Sequence, residues 1–368
     1  MYESEGVAAL RSLQGKLLQI PDLRPIYANW TSGLNPHCEE LRAFVDEKID
    51  KYVKNDKVRL KTKAIDLGWF ASFASPRCYP SAEIEQLKTM ALISMVFFIF
   101  DDTIDKEIDH ETPDFASDFD AATKLRKDSI AYVRYQLLQD HTTAILGKQP
   151  PRVPQEFASF EAFAPRVTAA APGQVDLVKL ADDVQEFIEA NALEQTYRLS
   201  GSLPSTEEYW TYRHGVGAVL PFCTLHQYVN DICLPDALAW CEEVNIMRIE
   251  ASFQPLVCND LYSLKKEMKD DTPTNLIPIM IAESGISLES IVFELVEQMY
   301  SSARKFDAAA ASLRARGREY NDSVQGQIDM FIKAFETFQT GCFKFFMNSV
   351  RFGVKDYEQE DGSYFIPL

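Results

Sequence analysis

The chain has 368 residues, and its 37 Lys and Arg against 55 Asp and Glu leave a formal net charge of −18. That balance, with an isoelectric point near 4.8, excludes a general affinity for nucleic acid, which depends on basic side chains neutralising phosphates. A content of 46% hydrophobic residues, with 24 Phe, 15 Tyr and 4 Trp, excludes intrinsic disorder and is enough to bury a real core.

The first twenty residues, MYESEGVAALRSLQGKLLQI, lack the basic start and continuous apolar run of a secretory signal, so the expected location is the cytoplasm. Leu41, Phe44, Val45, Ile49 and Val53 then form an apolar stripe at helical spacing. The longest apolar run, Met90 to Phe100, would rise only about 16 Å as a helix, roughly half of a bilayer core, so it reads as a buried helix and no membrane span is expected. Residues 147–173 contain Pro150, Pro151, Pro154, Pro165 and Pro172 and are expected to form a proline-rich loop inserted between helices. Helical spacing returns over 179–199, from Leu288 through Ile291, Val292, Leu295, Val296 and Met299 to Tyr300 behind a Ser287 cap, and over 324–348. Sustained period-two alternation appears nowhere. The expectation is an all-α chain, one helical domain over 1–368, with a partly mobile polar tail from 353 to 368. The seven cysteines, with no C-x-x-C pair and no His at zinc spacing, read as reduced and mostly buried thiols.

Two motifs carry chemistry. In MVFFIFDDTIDKE the apolar run stops abruptly at Asp101, Asp102 and Asp105. Asp101 and Asp105 share a helix face and repel by a few tenths of a kcal/mol unless a cation lies between them. Residues 101–120 hold nine carboxylates against the single Lys106. Hard oxygen donors at a helix end suit Mg²⁺, which commonly uses one or two carboxylates, several waters and substrate phosphates; the pattern alone equally fits a solvated acidic helix end. The second motif is Asn259-Asp260-Leu261-Tyr262-Ser263-Leu264-Lys265-Lys266-Glu267. On a helix, Asn259, Ser263 and Glu267 fall at i, i+4 and i+8, so an amide oxygen, a hydroxyl and a carboxylate line one face. Lys266 puts a cation beside the last of them.

The pair D-D-x-x-D and N-D-x-x-S-x-x-x-E, about 160 residues apart in this sequence, resembles a class I terpene synthase of the short microbial, fungal type. The resemblance covers Asp66 to Phe352 and implies an α-helical bundle around an apolar cavity. It implies that Asp101 bridges two of three Mg²⁺ ions, with Mn²⁺ as a possible substitute, and that Asn259, Ser263 and Glu267 hold the third. Asp102 and Asp105 would support the site without being ligands. TYRHGVGA resembles the family's diphosphate-sensing segment, which assigns Arg213 to the diphosphate, Gly217 to a helix break and Val216 to the link between them; read alone, Arg213 also fits an ordinary surface arginine. NSVRF resembles the family's S-x-R-Y element and makes Arg351 a diphosphate ligand. Phe352 stands where tyrosine is usual, so either Tyr357 supplies the missing hydroxyl from the tail or that contact is absent.

The reaction so implied is ionisation of an isoprenyl diphosphate, with Mg²⁺, Arg213, Lys266 and Arg351 placed against the leaving group. Aromatic faces would then stabilise and fold the carbocation. Candidates are Phe97 and Phe98, Trp69, Phe70 and Phe73, and Phe345, with Phe73 and Phe98 at positions that resemble the family's pocket; each also fits plain core packing. The expected substrate is farnesyl diphosphate, giving a sesquiterpene hydrocarbon or alcohol, with geranylgeranyl diphosphate as the alternative. The expected assembly is a monomer or homodimer. A chain-elongating isoprenyl diphosphate synthase would need a second aspartate-rich motif, and a non-catalytic helical interaction protein would show no response to Mg²⁺ and diphosphate.

Overall fold

Short polar residues start the helices. Asn55, Asp118, Asp176, Ser205, Asn275, Ser287 and Asn321 each accept a first-turn backbone N–H with their own side chain, a contribution of about 0.5–2 kcal/mol per cap. The computed structural model describes residues 4–72, 83–105, 114–138, 153–270 and 272–368. Its helices in chain order are α1 (Glu5–Leu13), α2 (Cys38–Tyr52), α3 (Asp56–Ile65), α4 (Leu67–Ala71), α5 (Ile84–Asp105), α6 (Phe119–Leu137), α7 (Phe160–Thr168) and α8 (Leu177–Ser200). They continue with α9 (Thr206–Val216), α10 (Val219–Val229), α11 (Asp236–Ala239), α12 (Glu242–Lys269), α13 (Leu276–Ser284), α14 (Leu288–Gly317) and α15 (Asp322–Asn348). The all-α expectation holds.

α12 lies along α14 and α15, α8 runs beside α6 and α9, and α5 packs on α2, α4 and α7. The apolar run of α5 is a core element: Met90 to Ile93, Met95, Val96 and Phe100 are fully buried. Among the described residues no single helix is long and apolar enough to cross a membrane. The six described cysteines are free and four are buried.

Two expectations need correction. The described part of the proline-rich stretch is not a plain loop, because Gln155–Phe157 form a 3₁₀ turn and α7 carries Pro165 within it. Phe157, Phe160 and Phe163 are completely buried, with Phe157 5.5 Å from Phe100. Burying three such rings is worth roughly 1.5–3 kcal/mol each, more than the ~3 kcal/mol that an internal proline costs a helix. The tail is likewise ordered. Strand β1 (Leu17–Ile20) pairs antiparallel with strand β2 (Tyr364–Pro367), setting Leu17 opposite Pro367 and Ile20 opposite Tyr364. Leu18, Ile20 and Ile366 are wholly buried under this ribbon. Strands of four residues are too short to show the alternation that would have revealed them.

Every residue of α10 is buried, including His226. Its ring lies 4.5 Å from that of Phe335, and neither nitrogen has a hydrogen-bond partner. Burial, with a smaller push from Arg248, takes this imidazole from 6.5 down to about 3. The fold holds it neutral, so the unfolded chain gains a proton below about 6.5 and stability falls as the pH drops from there toward 3. At pH 5 the loss should be about 2 kcal/mol relative to neutral pH. His226→Leu should flatten this part of the profile in urea melts at pH 7.5 and 5; an unchanged slope would refute the assignment.

Candidate active site at the mouth of an apolar cavity

α5, α8, α10, α12 and α15 line an apolar cavity whose empty space, counted with its open mouth and the solvent in it, is about 850 Å³. Its walls are mainly phenylalanine: Phe70, Phe97, Phe98, Phe187, Phe222, Phe338, Phe345, Phe346 and Phe352. The rings pack edge to face, as in Phe97 on Phe187 at 4.8 Å and Phe70 on Phe222 at 6.0 Å. Pro255 within α12 also reaches this wall. Above the cavity lies a polar cleft containing Glu194, Ser263, Lys266, Glu267 and Asp102. Asp101, Arg213, Asn259 and Arg351 line both spaces and join them.

The cleft is held by charge pairs. Arg213, buried on α9, donates from Nη2 to Asn259 Oδ1 at 2.9 Å and to Asp260 Oδ1 at 2.8 Å. The Tyr209 hydroxyl donates to the other oxygen of Asp260 at 2.6 Å. Burial pushes the Asp260 carboxyl up to about 6, with Arg213 pulling the other way. Across the mouth, Asp102 accepts from Arg351 Nη2 at 3.2 Å and pairs with Lys61 Nζ at 3.2 Å. The Arg351 guanidinium sits 5.4 Å from the centre of the Phe98 ring, in reach of a cation–π contact.

The helix break between α9 and α10 falls where the glycines suggested, for a different reason. Ala218 takes the left-handed conformation at φ +53°, while Gly217 has helical dihedrals. Gly217 is needed for space: a Cβ there would lie 2.2 Å from Leu256 Cδ2. Gly215 likewise lets α9 approach Ala190 of α8.

On α12, Asn259, Ser263 and Glu267 all face the cleft. The Ser263 hydroxyl is buried without a hydrogen-bond partner, and such an atom normally has one. A partnerless hydroxyl beside amide and carboxylate oxygens fits a hard divalent cation. Among the described residues no three His, Cys, Asp or Glu side chains form a metal cluster by themselves.

Residues 93–305, more than half of the chain, match the profile of Terpene synthase family 2, C-terminal metal binding. The chain belongs to the terpene synthase family. It is 24% identical over 363 residues to the sesquiterpene cyclase hepA of Aspergillus oryzae, covering 97% of this chain and 95% of that protein. It is 23% identical over 329 residues to an inactive (1R,4R,5S)-(-)-guaia-6,10(14)-diene synthase of Gibberella fujikuroi, covering 86% and 77%. The crystal structure of linalool/nerolidol synthase from Streptomyces clavuligerus superposes with a TM-score of 0.69 at 16% identity, over 85% of this chain and 99% of that one. Its fold is therefore shared, and the family carries divalent metal chemistry on a prenyl diphosphate.

In this terpene synthase most of the residues singled out by sequence meet at one mouth: Asp101, Asp102, Arg213, Asn259, Ser263, Lys266, Glu267 and Arg351. Gly217 and Phe98 line the cavity below, as do Phe70, Phe97 and Phe345, whereas Trp69 packs behind Phe345 at 6.0 Å. Asp105 is the last residue of α5, and its side chain, like Phe73 and Cys78, lies outside the described residues. Tyr357 does not fill in for Phe352: its hydroxyl accepts from Lys265 at 2.9 Å, and Lys265 also donates to the Pro367 carbonyl. Phe352 itself lines the mouth.

Sequence reading missed Glu194, Lys61 and the Tyr209–Asp260 support. Glu194 had a signal, because it continues the buried stripe of Phe187, Ile188 and Asn191 on α8, where a carboxylate has no place without a polar partner. Lys61 had none.

Proposed function

We propose that this chain is a Mg²⁺-dependent cyclase that ionises farnesyl diphosphate and closes the resulting carbocation to a sesquiterpene hydrocarbon or alcohol, as a single cytoplasmic α-helical domain. The observation that carries the reading is the direct joining of two unlike spaces: an oxygen- and cation-lined cleft opens through Asp101, Arg213, Asn259 and Arg351 onto a phenylalanine-walled cavity. A diphosphate head and an apolar tail need that division.

Asp101 would hold cations on the α5 side, and Asn259, Ser263 and Glu267 on the α12 side, with three Mg²⁺ expected. Bound Mg²⁺ supplies positive charge against the departing diphosphate. Arg213, Lys266 and Arg351 add fixed positive charge where negative charge develops. Arg351 can turn to the diphosphate because Lys61 remains beside Asp102 as its counter-ion. The phenylalanine walls exclude water and offer ring faces to a cation, worth about 2 kcal/mol or more where desolvated. None of these steps requires a nucleophilic side chain.

Purified protein given C10, C15 and C20 diphosphates should release a volatile product from the C15 substrate only when Mg²⁺ is present, and a chelator should abolish it. A dominant C20 product would move the substrate to geranylgeranyl diphosphate. Absence of product from all three would overturn the reading.

A further inference from the structure

Asn275, just before α13, is fully buried and reaches back to α12. Both ends of the Asn275 amide are engaged. Its oxygen accepts from the Ile277 N–H at 2.9 Å and caps α13. Its nitrogen donates to the Asp260 carbonyl at 2.9 Å and to Glu267 Oε2 at 2.7 Å. One side chain thus spans two turns of α12 and ties its cleft-facing side to the start of the next helix. The Thr272 N–H adds a bond to the Glu267 carbonyl at 2.9 Å. With Oε2 held, Oε1 is the Glu267 oxygen left for a cation. Aspartate could cap α13 but could not donate to Glu267, and serine could cap but is too short to reach it.

We infer that Asn275 is a positioning residue that sets the Glu267 carboxylate for divalent-cation binding, an inference that rests on the metal-site reading above. Partners that orient a ligating carboxylate typically govern metal affinity by about 10–100-fold. In titration calorimetry of Mg²⁺ into the whole protein with saturating inorganic diphosphate, Asn275→Ser and Asn275→Asp should each weaken apparent Mg²⁺ affinity by about that factor. Turnover should show the same shift, as a higher Mg²⁺ requirement with a smaller change in kcat at saturating metal. In a Glu267→Gln background the affinity effect of Asn275→Ser should disappear, whereas a purely structural effect on thermal stability would persist.

Wild-type Mg²⁺ affinity in either folded variant, or equal weakening with and without the Glu267 carboxylate, would overturn the inference while the site reading stands. If the wild-type protein binds no Mg²⁺ with diphosphate, the site reading and this inference fall together.

Discussion

Asp101→Ala and Asn259→Ala should each lower turnover by about 10²–10³-fold, the scale of losing one well-placed electrostatic stabiliser of a transition state, roughly 3–4 kcal/mol. Both side chains lie at the junction of cleft and cavity and neither belongs to the buried core, so thermal midpoints should move little. Arg213 would lose one bond in Asn259→Ala but keep Asp260 at 2.8 Å. The loss should appear in kcat at saturating Mg²⁺ and substrate, because metal charge against the leaving group matters most once the C–O bond is breaking. Initial rates with farnesyl diphosphate decide it. Turnover equal to wild type in both variants would remove these residues from any metal role.

Local patterns made much of this site legible. The α12 triad is readable because a helix fixes i, i+4 and i+8 on one face whatever the rest of the chain does. The aspartate motif is readable because a buried apolar helix that stops abruptly in carboxylates must meet water or a cation at that end. What escaped depends on packing between distant segments. Lys61 meets Asp102 across 41 residues of sequence, and β1 meets β2 across nearly the whole chain. The stretch from Pro154 to Pro165 shows local propensity overridden, since its prolines pointed to a loop while burial of Phe157, Phe160 and Phe163 holds a 3₁₀ turn and a helix there. A net charge of −18 by itself repels an anionic ligand. The site resolves this locally: Arg213, Lys266 and Arg351 line the cleft, and its carboxylates become attractive to diphosphate only when cations bridge them.

Arg213→Met should be the most damaging single change, acting on stability and chemistry at once. Asp260 is 1% exposed, and without the guanidinium its carboxylate would keep only the Tyr209 hydroxyl. Breaking a buried ion pair from one side costs about 3–5 kcal/mol because the remaining charge stays desolvated. The two effects can be separated. Asn at position 260 can still accept the Tyr209 O–H bond and carries no charge, so Arg213→Met combined with Asp260→Asn should recover most of the stability. It should not recover turnover, because no cation would face the leaving diphosphate from α9. Arg248 serves as a control, being a buried arginine paired with Asp183 at 2.9 Å and bonded to Thr224 Oγ at 2.8 Å, remote from the cleft residues. Arg248→Met should cost less stability than Arg213→Met in urea melts, because Lys179 Nζ stays 2.7 Å from the other oxygen of Asp183, and should leave the rate per folded molecule close to wild type. Recovery of turnover together with stability in the double variant would reduce Arg213 to a strut for α12, and the diphosphate-sensing role would have to pass to Arg351 and Lys266.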